Sequence, residues 1–353
     1  MTTQAIFSLL KELTELPGPS GQEEAVRQAV RRHLEPLVQE IRVDALGNLI
    51  AYRPGRASGD ADTPSVMLAA HMDEIALMVT QLDQGFIRFT RVGGVDRGVL
   101  PSQEVLVHGR EPLPGIIASR PPHVLPPEER RKPIPWEQLF VDVGLPQEEL
   151  AQQVQVGDFI TFRQETVQLG DGKATGKALD NRASVTALIA ALEQLQQASH
   201  TWDVYAVVTV QEEVGLRGAI TSTFQVNPDL GIALDTTFAN QPGTSSPETV
   251  EWDKGPAIAL GPNIHPRVHQ RLVETAQAQE IPHLVEVLPG NTGTDAWAMQ
   301  VTRAGIPTGL VSIPIRNMHT PVETVILKDV ARTARLLAAF IQGLDEKEPL
   351  LGW

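Results

Sequence analysis

The 353-residue chain carries 43 Asp and Glu against 29 Lys and Arg, a formal net charge of −14, and no cysteine. Its acidity repels phosphate backbones and anionic membrane surfaces, so nucleic acid and lipid are poor partners. The lack of cysteine removes disulfides, thiolate nucleophiles and Cys-bound zinc, leaving His, Asp and Glu to hold any metal. Residues 1–10 lack the basic start and long apolar core of a secretory signal. No run approaches the ~18 apolar residues that a membrane helix needs, and a cytoplasmic protein is expected.

In chain order, Ile6, Leu9, Leu10 and Leu13 repeat at helical spacing. After the Pro-Gly-Pro break at 17–19, Ser20 and Glu23 have the spacing of a capping box. The helix they introduce carries the stripe Val26, Ala29, Val30, Leu34 and Leu37. Segments 41–43 and 49–52 flank Gly47-Asn48 and predict a hairpin. Segment 65–70 is nearly all apolar, as expected of a strand buried on both faces.

From Ile75 to Thr166 the rhythm changes to short strand-like pieces at 86–90, 105–107, 115–118, 140–143 and 159–162, separated by Gly and Pro clusters, with one short helix near 147–153. Residues 75–166 are therefore predicted to form a small β-barrel or sandwich, inserted into a larger domain made of 1–74 and 167–353. Past Gly176 helices and strands alternate: helix 181–195, strand 203–210, a short helix after Gly215, strand 231–235, helix 267–279, strand 283–287, a helix after Thr294, strand 308–313 and an amphipathic helix 327–341. This alternation predicts an α/β fold, a mostly parallel central sheet flanked by helices.

Ligands of such sheets gather beyond the carboxyl ends of the strands, and acids and histidines recur there. Strand 65–70 runs into His71-Met72-Asp73-Glu74, strand 203–210 into Gln211-Glu212-Glu213, and strand 231–234 into Asp235. Asp180 precedes helix 181–195, and His319 follows strand 308–313. His71 and Asp73, two apart, project to one side, so one can bind metal while the other holds its imidazole; the pair serves equally as a satisfied strand-end contact. Adjacent Glu212 and Glu213 repel unless a cation is near or one keeps its proton, though a solvated loop also accommodates them. Asp180 has an alternative as a helix cap, Asp235 as a turn former with Thr236 and Thr237, and His319 as a loop histidine. Their shared position at one rim of the sheet favours a site.

Five segments together resemble the M42 family of metallo-aminopeptidases: His71-Met72-Asp73-Glu74, Gly176-Lys177-Ala178-Leu179-Asp180-Asn181-Arg182, Gln211-Glu212-Glu213-Val214-Gly215-Leu216-Arg217-Gly218-Ala219, Ala233-Leu234-Asp235 and Asn317-Met318-His319-Thr320. The likeness spans essentially the whole chain, including Gly93-Gly94 and Phe140-Val141-Asp142-Val143-Gly144 in the insertion. The family includes glutamyl aminopeptidases and self-assembling tetrahedral aminopeptidases. The resemblance implies a zinc-exopeptidase-like (phosphorylase/hydrolase-like) main domain and an inserted barrel through which subunits dimerise, dimers closing into a dodecamer. It implies a pair of divalent ions, zinc, cobalt or manganese, bridged by Asp180, with His71 and Asp235 completing one shell and Glu213 and His319 the other. It also implies Glu212 as general acid/base, Asp73 orienting His71, a cis peptide at Asp180-Asn181, and peptides as substrates that lose amino-terminal residues.

The chain departs from the family at Asn291-Thr292-Gly293-Thr294-Asp295, where relatives have Gly-Gly-Thr-Asp; this touches the substrate loop but no ligand. Arg217 either meets a substrate carboxylate or pairs structurally. His123 is expected in a loop or interface, and His265, His269 and His283 in structural roles. The competing functions are another two-metal amide hydrolase (a deacylase or carboxypeptidase-like enzyme), a glucanase, and a non-catalytic metal-binding scaffold. Glycoside hydrolysis ordinarily uses two carboxylates without metal.

Overall fold

A computed structural model describes residues 1–56, 63–128, 130–245 and 248–344; the tail 345–353 of the predicted main domain lies outside the described residues. An 11-stranded mixed sheet organises the larger part of the chain. At its centre four parallel strands stand side by side in the order Asp203–Thr209, Ser65–His71, Leu230–Phe238 and Thr308–Arg316. Antiparallel strands extend both flanks. On one side lies the expected hairpin of Glu40–Val43 and Leu49–Arg53; on the other lie Glu323–Ile326, Lys173–Gly176 and Val167–Gln168. The alternation of the sequence thus describes the parallel centre, while the short flanking strands add the antiparallel pairings.

The central strands are apolar on both sides because both sides are covered. Val66, Leu68 and Ala70 enter one core, Met67 and Ala69 the other. The first core is roofed by Leu179–Leu195, buried along nearly its whole length, together with Leu327–Gln342 and Thr3–Glu15. Arg217–Val226 and Asp295–Gln300 cover the second. Burial of this kind contributes about 25 cal/mol per Å² of apolar surface. No helix among the described residues is long and apolar enough to cross a membrane.

Six strands, Ala76–Asp83, Phe86–Val92, Glu104–His108, Pro112–Ala118, Phe140–Asp142 and Phe159–Phe162, close into a barrel with its own core of Ile87, Val105, Val107, Ile117, Val141 and Ile160. The short helix Gln147–Gln153 lies where it was expected. Sequence reading overlooks Ala76–Asp83, whose second half is solvent-facing and whose register shifts between Val79 and Gln81, so the alternation expected of a strand is lost. It also overlooks Ala257–Leu260 and Glu323–Ile326, each only four residues long.

The capping box at Ser20 and Glu23 is not formed. The helix Glu24–Leu34 has no side-chain cap. Ser20 Oγ instead donates to Asp73 Oδ2 at 2.6 Å, and Glu23 accepts from the main chain of Gly21 and Gln211. The helix starts at Glu24 with Glu23 at its N-cap, so Ser20 lies three residues outside the cap position, and its hydroxyl donates to the buried Asp73 carboxylate, a charge-assisted bond.

Candidate metal centre

The side chains singled out at the strand ends converge. Ala233 stands opposite Ala69 in the parallel pair, so two residues further on Asp235 and His71 stand at the same level, His71 closing its strand while that of Asp235 runs on to Phe238, three residues past the expected end. Asp180, at the start of Leu179–Leu195, reaches between them: His71 Nε2 lies 3.2 Å from Asp180 Oδ1 and 3.8 Å from Asp235 Oδ1. On the far side His319 Nε2 lies 3.4 Å from Asp180 Oδ2 and 3.3 Å from Glu213 Oε1. Asp180 therefore presents one oxygen to each of two groups, His71–Asp180–Asp235 and Asp180–Glu213–His319. The peptide between Asp180 and Asn181 is cis.

These groups fit divalent ions by three criteria. Donors placed about 2.0–2.2 Å from one ion stand roughly 3–4 Å from each other, the spacing observed here and longer than that of good hydrogen bonds. Asp180 Oδ1 is buried without a hydrogen-bond donor, although an imidazole nitrogen faces it. Each group combines one imidazole with two carboxylates, a donor set suited to zinc, cobalt or manganese.

The electrostatics agree. Burial raises the Glu212, Glu213 and Asp235 carboxyls above their ordinary range, against the pull of the histidines. Burial would also lower both imidazoles, yet Glu212 and Asp180 hold His71 well above its usual value, and the facing carboxylates of Asp180 and Glu213 push His319 up to about 11. For Asp180, the facing imidazoles of His319 and His71 overcome burial and hold it low. So much negative charge away from water is what a divalent cation relieves.

Glu212 belongs to neither group. Gln211 has left-handed backbone at φ 55°, and Glu212 O accepts from the N–H of Gly215 and Leu216, so the chain turns. The turn sends Glu213 to His319 and leaves Glu212 on the cavity wall, 3.9 Å from His71 Nε2. Asp73 secures this turn: Oδ1 accepts from Glu212 N–H at 3.0 Å and Oδ2 from Glu213 N–H at 3.2 Å. It also faces His71 Nδ1, at 3.2 Å through its main-chain oxygen and 3.5 Å through Oδ1.

Sequence reasoning missed Glu323, whose Oε2 accepts from Asp180 N–H at 3.0 Å and whose Oε1 accepts from His319 N–H at 2.7 Å. One buried carboxylate thus ties together the backbones of two candidate ligands. The available signal is an acid that closes the apolar-flanked run His319-Thr320-Pro321-Val322-Glu323. Asp295 was noted only as part of the divergent loop. It accepts the Thr209 hydroxyl at 2.6 Å, and burial pushes its carboxyl up to about 6. Gly93 and Gly94 bring the barrel to the site: a Cβ on Gly94 would stand 2.5 Å from His319 Nδ1, and one on Gly93, which has φ +78°, would stand 3.3 Å from Glu213 Cβ.

Asp180 does not cap its helix, whereas Asp235 Oδ1 does accept from Thr236 N–H at 2.8 Å. Arg217 is exposed and absent from the cavity wall. His123 lies exposed in a short turn of the insertion. His269 and His283 face the carbonyls of Ala259 and Ile281, and neither they nor His265 join the two groups.

The groups open into a cavity of about 930 Å³ lined also by Thr237, Phe238, Glu286, Val287, Trp297 and Met318. Residues 47–336 match the family model for M42 glutamyl aminopeptidases. The lysyl aminopeptidase of Pyrococcus furiosus is 38% identical over 344 residues, covering 96% of this chain and 97% of that protein. The structure of a TET aminopeptidase from a marine-sediment Thaumarchaeota archaeon superposes with a TM-score of 0.92 at 34% identity, covering 97% of each chain. A TET peptidase of Pyrococcus horikoshii, described as assembling into a tetrahedron or a large octahedral shell, gives a TM-score of 0.84 at 32% identity over 96% of this chain and 100% of that one. Matched along most of its length in sequence and almost end to end in fold, this chain belongs to the M42 peptidase family.

Proposed function

We propose that this protein is a metal-dependent aminopeptidase that hydrolyses the first peptide bond of short peptides. The carrying observation is that one carboxylate, Asp180, is shared between two imidazole-carboxylate groups. In this reading Asp180 bridges a pair of divalent ions, with His71 and Asp235 on one and Glu213 and His319 on the other. When bound, such ions polarise a scissile carbonyl and lower the pKa of water toward ~7.

Glu212 stands outside both ligand sets on the cavity wall. Its carboxylate accepts a proton from the attacking water and returns it to the leaving amine. Asp73 keeps the Glu212 and Glu213 backbones in place, so that one acid binds while the other moves protons. The free amino group of a peptide is a cation at neutral pH, and the acid-rich wall attracts it.

Aminoacyl chromogenic amides test this reading. Chelator-stripped protein is expected to lose turnover and to regain it with zinc, cobalt or manganese. Glu212→Gln should lower kcat by about 10²–10⁴ with wild-type metal content; full activity in that variant sinks the proton-shuttle role. Cleavage of amino-blocked peptides would point to a deacylase or endopeptidase, and chelator-sensitive hydrolysis of cellulose to a glucanase. Metal binding with no hydrolysis at all would favour a scaffold.

We also propose that the barrel pairs subunits and that the pairs close into a dodecamer in the cytoplasm. Support comes from the shell-forming Pyrococcus horikoshii relative and from the barrel's separate core. Light scattering of metal-loaded protein should give the mass of twelve copies; a monomer mass overturns the proposal.

A further inference from the structure

The cavity wall beyond the two groups is unusual in its charge. It carries two more acids, Glu248 and Glu286, and no Lys or Arg among its described lining residues. Glu286 sits on Leu284–Val287, and its Oε1 accepts the hydroxyl of Thr237. Its carboxyl is pushed up by burial, opposed only by that hydroxyl, and no described cation pairs with it. A half-buried acid served by one neutral donor is left with unsatisfied demand for positive charge.

Its position says what would supply that charge. Thr237 lies two residues beyond Asp235 on the strand Leu230–Phe238, so both point to one face, about 7 Å apart along the strand. Glu286, bonded to Thr237, thus stands about one long side chain from the ion-holding groups. The same cavity is also lined by Phe238, Val287, Trp297 and Leu310. Apolar walls ending in an acid match a side chain with a methylene stem and a cationic head.

Resting on the aminopeptidase reading, we propose that Glu286 makes this cavity select peptides whose amino-terminal residue is lysine or arginine. The ammonium or guanidinium pairs with Glu286 while the stem packs on the aromatic and aliphatic wall. A glutamyl or aspartyl residue is rejected twice over, by like-charge repulsion from Glu286 and by the lack of a Lys or Arg among the described lining residues to meet it.

The test compares kcat/KM for lysyl, arginyl, leucyl and glutamyl chromogenic amides with wild type and Glu286→Gln. Wild type is expected to favour lysyl and arginyl over glutamyl amides, and Glu286→Gln to lower the lysyl-to-leucyl ratio by at least about tenfold, the worth of a hydrogen bond to a charged group. Equal rates on glutamyl and lysyl amides in wild type, or an unchanged ratio in the variant, overturns the proposal.

Calorimetric binding of L-lysine against L-norleucine to metal-loaded protein provides an arm independent of turnover. Tighter lysine binding that disappears in Glu286→Gln supports the pocket assignment, and parity in wild type refutes it. Absence of turnover on every amide would instead defeat the aminopeptidase reading, so the two failures are distinguishable.

Discussion

The two halves of the candidate centre share Asp180 and otherwise differ in construction. His71 and Asp235 hang from neighbouring parallel strands with side chains only 2% and 7% exposed, whereas the His319 side chain is 34% exposed. The inner half is set by sheet register. The outer half is set by turns: His319 and Gln211 both occupy left-handed backbone, and the glycines at 93–94 leave room for the His319 ring and for Glu213. Register resists distortion because slipping a strand would bury its polar face, while turns rest on a few hydrogen bonds and are the more mobile parts of most folds. One half of the centre is therefore preformed by the fold, and the other is assembled at its surface.

The sharpest way to break this comparison is to remove one histidine at a time. His71→Ala and His319→Ala should each lower activity by roughly 10²–10⁴, since each dismantles one shell. Elemental analysis should nevertheless separate them: His319→Ala keeps an inner ion, whereas His71→Ala, which opens a buried cavity beside Asp180, retains less metal. Identical losses of both ions would show that the halves are not independent. In unaltered protein, chelator should remove metal in two phases, the faster belonging to the exposed half; a single phase speaks against the distinction.

A smaller effect sharpens it. Glu323 holds the backbones of Asp180 and His319 at once. Glu323→Gln replaces one acceptor oxygen with a donor that faces another N–H, so metal affinity should fall about 10–100-fold, the usual cost of disturbing a ligand's support. Fluorescent chelator competition measures this, and added zinc should restore turnover. If both ions weaken alike, Glu323 acts through the shared Asp180; if only the fast-releasing ion weakens, it acts through His319.

How much of this was legible in the sequence follows from what linear order records. His71 ends an apolar strand, Glu213 follows one by four residues and Asp235 closes the apolar part of a third, and these runs are visible as composition. The parallel centre is legible for the same reason. Glu323 was not, because it acts on the main chain of Asp180, 143 residues away in sequence. No spacing marks an acid that serves a backbone N–H from a different element. Ser20 shows the converse error. Ser20 and Glu23 have the spacing of a capping box, and only the fold reveals that the helix starts at Glu24 and that Ser20 donates to Asp73 instead. Arg217 was open between a substrate role and a structural one: its N–H donates to Gln211 O beside the acid pair, yet the residue is exposed and not among the residues lining the cavity.

The insertion itself is clasped at its base. Glu74, just before the first barrel strand, and Lys177, just after the chain has rejoined the sheet, form a buried pair at 2.7 Å, and Glu74 also accepts from Gly18 N–H at 2.9 Å. Breaking such a pair from one side costs about 3–5 kcal/mol. The departing and returning strands of polypeptide are thus knotted electrostatically on the main-domain side, a few residues from Asp73 and Asp180. The clasp therefore makes the placement of the acids below it independent of the length of chain that the barrel occupies above it.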